Sequence, residues 1–179
     1  MQVQSNSLTR VATLLSALTV LCLAAIPLCL LWALFFPVQW LESRLSGYPD
    51  TPQPEVFSFP SLFGLGLVDL VGLILIAVIL LTLLRLLNLY RRGFVLGAEN
   101  AHYILRLGQA LIVLAAFQTV AHTLDVLAIT WSNPPGMRHL QIDLSSNMVA
   151  LLLAGGLMTL IGWAMQQAAA IADDHAAII

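Results

Sequence analysis

Three ionisable side chains stand where such groups are costly. Asp69 lies near the start of an apolar run, residues 62–84, and is the only acid in it. His122 and Asp125 lie toward the end of another apolar run, spaced with Gln118 by four and three residues. On a helix that spacing stacks side chains on one face. Ionisable groups in lipid cost several kcal/mol and face the interior of a bundle or a polar cavity. Asp69 sits about two turns from the start of its run, and His122 and Asp125 about two turns from the end of theirs. In antiparallel helices the three residues meet at one depth. Two carboxylates and an imidazole can hold a proton or a cation there. The same residues can also simply hydrogen-bond one helix to the next.

Other chemistry fares less well. A membrane haem needs two histidines at matched depth, but His102 and His122 are twenty residues apart on one predicted helix, roughly 30 Å. His139 and Asp143 supply only two zinc ligands in a short loop, fewer than a structural site needs. Cys22 and Cys29 lie seven residues apart in the first apolar run, roughly 10 Å along a helix and too far for a disulfide. The chain has no Gly-rich phosphate loop, Cys/His cluster, Ser-x-x-Lys or His-Glu-x-x-His motif. Neither catalysis nor a cofactor is expected.

These residues are carried on elements whose environment the composition defines. The chain is 60% hydrophobic and 9% charged; a soluble domain has about 45–50% and about 25%. The excess lies in long runs, so it faces lipid. The expected fold is all-α: an integral membrane four-helix bundle forming a single domain over residues 1–179. Its helices are predicted over about 11–36, 62–90, 99–130 and 146–172. The first run is too long for a signal-peptide core of about 7–15 residues, so it reads as a retained helix, bent at Pro27. Residues 37–61 read as a loop, because Pro49, Pro52, Pro54 and Pro60 exclude a long helix. Its Trp40, Tyr48, Phe57 and Phe59 fit residues resting at a membrane interface. The run from Asn133 through two prolines to Gly136 signals a turn. Ala150, Ala154, Gly155, Gly156 and Gly162 mark a helix-contact face on the last span, since small residues let backbones approach in lipid.

All seven basic residues are arginines. Arg10, Arg85, Arg91, Arg92 and Arg106 fall on one side of the predicted topology and Arg44 and Arg138 on the other. The positive-inside bias then puts both termini in the cytoplasm. A formal net charge of −2 argues against direct nucleic-acid binding. Tyr90, Arg91, Arg92, Glu99, Asn100 and Arg106 gather at the inner ends of the second and third helices, with Asp173 and Asp174 level with them on the fourth. This patch can cross-link the helices, attract anionic lipid at about 1 kcal/mol per arginine, or dock a small cytoplasmic partner. Homo-oligomer formation is left open.

The segment Leu89-Tyr-Arg-Arg-Gly-Phe-Val-Leu-Gly-Ala-Glu-Asn100, followed by Leu105-Arg-Leu-Gly108, resembles the central part of a bacterial family of small four-helix membrane proteins, domain of unknown function 2975. The acidic and apolar ending Ile171-Ala-Asp-Asp-His-Ala-Ala-Ile-Ile179 is similar too. The layout covers most of the chain, while the specific residues are confined to these two patches. Leu96-Gly97 departs from the pattern, where a more helix-favouring or capping residue is expected. The resemblance implies a bacterial inner-membrane protein with no known enzymatic activity. It also implies a small helix-turn-helix transcriptional regulator as cytoplasmic partner. A small transporter or channel-like subunit built on Asp69, His122 and Asp125 is the alternative.

Overall fold

The computed structural model describes residues 2–92, 97–134, 136–138, 140–142 and 145–176, with side chains described within residues 9–171. Among the described residues there are five helices and no strand: α1 Gln2–Phe35, α2 Pro37–Leu45, α3 Phe59–Arg91, α4 Ala98–Thr130 and α5 Ser146–Ala176. All but α2 are long and apolar enough to cross a membrane. Many large apolar side chains on these four, such as Leu14, Leu34, Phe63 and Leu153, stay exposed on the protein itself, as lipid-facing residues do.

Two expectations need correction. Residues 37–45 are helical rather than loop. Pro37 occupies the first helical position, where its fixed φ suits a helix and its missing N–H costs nothing. Pro49, Pro52 and Pro54 all fall after the end of α2, and Pro60 sits in the first turn of α3. Helix α1 also begins near Gln2 rather than Val11 and continues past Pro27.

Helix α3 lies between α1 and α4, and α4 lies between α3 and α5. Among the described residues α1 makes no close backbone approach to α4 or α5, so the four spans form an open row. Neighbours are antiparallel. Gly64 of α3 faces Ala128 of α4 and Gly72 faces Phe117. Gly162 of α5 faces Leu105 of α4 and Gly155 faces Gly108. One end of the molecule therefore carries residues 36–58 and 131–134, and the other carries the end of α3, the start of α4, the first turns of α1 and the last turns of α5.

Helix α4 holds the core, with Ala101, Ile104, Leu107, Ala115, Val126 and Ile129 buried. Its contact with α5 is made backbone to backbone. A Cβ placed on Gly108 would lie 2.5 Å from the Thr159 nitrogen, and one on Gly162 would lie 2.6 Å from the Leu105 nitrogen. Of the five small residues expected at this seam, Gly155 and Gly162 lie in it. Ala150 and Ala154 are exposed, and Gly156 has open space beside it. The unforeseen partner is Gly108, on the facing helix. On α1 the buried Ser16 and Thr19 hydroxyls donate to their own helix, at the Thr13 and Leu15 carbonyls. Such back-bonding satisfies a hydroxyl without a neighbour.

Candidate functional site

The α2 end is tied together by side chains. The Ser61 hydroxyl, buried at the start of α3, lies 3.0 Å from that of Ser132, just past α4. Ser58 joins the same set at 2.9–3.0 Å. The Asn133 side-chain amide donates to the Pro52 carbonyl at 2.9 Å, fastening the proline-rich segment to the end of α4. Gly136 takes φ +99°, a conformation that favours glycine, in the turn foreseen there.

Beneath these ties lies a polar cluster in the apolar part of the molecule. Arg44 reaches from α2 into the row, and its Nη2 lies 2.7 Å from Asp125 Oδ2 and 3.2 Å from Asp69 Oδ1. The Tyr48 hydroxyl donates to the same Asp125 oxygen at 2.7 Å. Trp40 Nε1 donates to Asp69 Oδ2 at 3.0 Å. Trp40 and Arg44 are four residues apart on α2 and so share a face. Tyr48 follows by another four, where turns at Arg44–Gly47 and Leu45–Tyr48 prolong the helical path. The Tyr48 and His122 rings sit 5.2 Å apart.

Burial differs sharply across the cluster. The Asp125 side chain is 4% exposed, against 29% for Asp69 and 27% for Arg44. Burial works against the Arg44 charge, but Asp125 and then Asp69 outweigh it and hold its pKa above the ordinary value. Burial pushes the Tyr48 hydroxyl well up, and the hydrogen bond and charge of Asp125 push it further. Tyr48 therefore stays a donor. Asp125 Oδ1, Arg44 Nε and His122 Nε2 are buried with no hydrogen-bond partner among the described residues. Tyr48→Phe should cost about 1.5–3 kcal/mol, the usual worth of a hydrogen bond to a charged group. An unfolding titration of the purified protein checks this; an unchanged midpoint would mean that the hydroxyl does not hold Asp125.

The structure thus brings Asp69 and Asp125 onto one guanidinium and sets His122 beside Tyr48. Among the described residues no three His, Cys, Asp or Glu side chains converge on a possible metal position. His122, Asp125 and Gln118 line a cleft of about 200 Å³ with Tyr48 and Met148. Gln118 accepts from Asn147 of α5 at 3.3 Å. Sequence reasoning missed Arg44, Trp40 and Tyr48, placing the last two at the membrane interface. Their spacing of four was the available signal. His139 and Asp143 lie outside the described residues.

At the opposite end Arg85, Arg91, Arg92, Glu99 and Arg106 are exposed, Tyr90 is half-buried and Asn100 is buried at 1% exposure. Asn100 is therefore part of the helix packing. The arginines there make no ion pair among the described residues. The side chains of Asp173 and Asp174 lie outside the described residues.

Fold and site together define a multi-pass membrane protein with an internal ionic clamp at one end and exposed arginines at the other. No family model, no curated protein and no solved structure matches this chain.

Proposed function

We propose that this is a non-enzymatic interaction protein of the bacterial inner membrane, with both termini cytoplasmic, whose arginine-rich end docks a small acidic cytoplasmic partner. The observation that carries the reading is the contrast between the two ends. Arg44 is shared by two carboxylates. Arg85, Arg91, Arg92 and Arg106 stand exposed with no ion pair among the described residues. Clustered exposed charge of one sign steers and selects a partner of the other. The excess of arginine at that end favours a cytoplasmic location. The resemblance to the family of unknown function suggests a transcriptional regulator as the partner.

Cross-linking in intact cells tests the reading. Arg91→Glu with Arg92→Glu should cut capture of an acidic cytoplasmic protein by about tenfold or more, roughly 1.4 kcal/mol, with membrane insertion unchanged. Undiminished capture would overturn it.

The cleft at His122 and Asp125 favours a second reading, a small transporter or channel-like subunit. Against it, there is no acid or arginine from Leu70 to Leu84 or from Leu107 to Ala121, so the cluster opens onto no charged path across the membrane. Proton flux in vesicles that Asp69→Asn abolishes would favour this reading.

A further inference from the structure

Among the described residues helix α1 approaches the backbone of α3 but not that of α4, and this leaves a cleft of about 410 Å³ between them. Ligand sites commonly fall between about 300 and 1,000 Å³. Helix α3 forms its floor through Val68, Gly72 and Ile76; α1 and α4 wall it with residues such as Trp32 and Phe117. Helix α2 closes one end with Trp40 and Arg44, above Asp69 and Asp125. Along most of its length the cleft is apolar, and it lies along three helices long and apolar enough to cross a membrane. A ligand with a long apolar body suits such a cleft.

The closed end has its own charge. Two carboxylates face one guanidinium, so the set carries one formal negative charge in excess when both acids are ionised. Asp125, nine-tenths buried and lining the cleft, keeps Oδ1 without a donor. Asp69, at 29% exposure, is the carboxylate a ligand reaches directly. The Arg44 side chain lines the same end of the cleft and is likewise partly exposed, at 27%. An amphiphile with an N–H-bearing ammonium beside a phosphate complements this arrangement: the ammonium donates to Asp69 and the phosphate accepts from Arg44. We propose that the cleft binds one phospholipid of the phosphatidylethanolamine class from the leaflet at the α2 end, with an acyl chain along α3 and the head on Arg44 and Asp69.

The test is native mass spectrometry of the full chain, purified in detergent and titrated with lipids of identical acyl chains. Phosphatidylethanolamine should be retained about tenfold better than phosphatidylcholine, whose trimethylated head lacks N–H donors, and better than phosphatidylglycerol. Asp69→Asn keeps the side-chain shape and should bring the ethanolamine and choline lipids to within about twofold of each other. Gly72→Leu fills the floor and should lower retention of both. Gly66→Leu, where no atom lies within 4 Å of the added Cβ, should change nothing and controls for the substitution itself. Equal retention of the three lipids, a preference for phosphatidylglycerol, an ethanolamine preference that survives Asp69→Asn, or undiminished retention in Gly72→Leu would overturn the proposal.

Discussion

Arg44→Ala should destabilise the protein by about 3–5 kcal/mol, the range seen when one partner of a buried pair is removed. Exposed pairs are worth about 0–1 kcal/mol, so the size of the effect depends on burial. Asp69 and Arg44 are each more than a quarter exposed, and that half of the clamp is partly screened. Asp125 is 4% exposed and accepts from Arg44 and Tyr48 through a single oxygen. Without Arg44 its charge keeps only the tyrosine hydroxyl as a side-chain partner among the described residues. Most of the loss should therefore pass through Asp125, and a double-mutant cycle detects this. Asp125→Ala alone should be costly, and the double variant should cost less than the sum of the singles by more than about 1 kcal/mol. Unfolding titrations in mixed micelles supply the numbers. Additive losses would mean that the two residues act independently and that the clamp does not hold α2 on the row.

Gly162→Leu should cost about 3 kcal/mol, the upper end of the usual overpacking range. The neighbours of an added Cβ are backbone atoms of Leu105, at 2.6 and 2.7 Å, and backbone cannot rotate aside as a side chain can. Helix α5 must move away from α4. The same movement strains the Gly108 contact, where the Gly155 oxygen would lie 2.7 Å from an added Cβ. Gly156→Ala, on the open side of the same helix, should stay within about 0.5 kcal/mol. Melting temperature, together with protease sensitivity of residues 131–145, reads both outcomes. Equal tolerance of the two substitutions would show that α4 and α5 do not pack backbone to backbone.

The four spans were legible in the sequence because hydropathy over twenty or more residues depends on local composition alone. Pairing was legible where it rested on periodicity: Gln118, His122 and Asp125 do line one cleft. What stayed hidden was non-local. The carboxylates Asp69 and Asp125 are held by a residue from a stretch whose prolines suggested a loop, and nothing in those prolines reveals that nine residues before them form a helix. Trp40 and Tyr48 were placed at the interface because amphipathic aromatics collect there. In the fold their polar tips turn inward to carboxylates instead. Gly108 escaped notice as a packing residue for a similar reason. A lone glycine mid-helix acquires meaning only from Gly155 and Thr159 on the facing helix.

The open row of spans bears on how the chain is made. Each long helix packs against the one before it, so α3 can settle on α1, α4 on α3 and α5 on α4 in the order they leave the ribosome. The ties from the segment after α1 to α4 are exceptions, among them Arg44–Asp125 and Asn133–Pro52, each bridging 81 residues. Until α4 has been inserted, Arg44 has Asp69 as its one carboxylate, and the clamp is half made. Its completion is a late event in biogenesis, one that reports that three of the four crossings are in place.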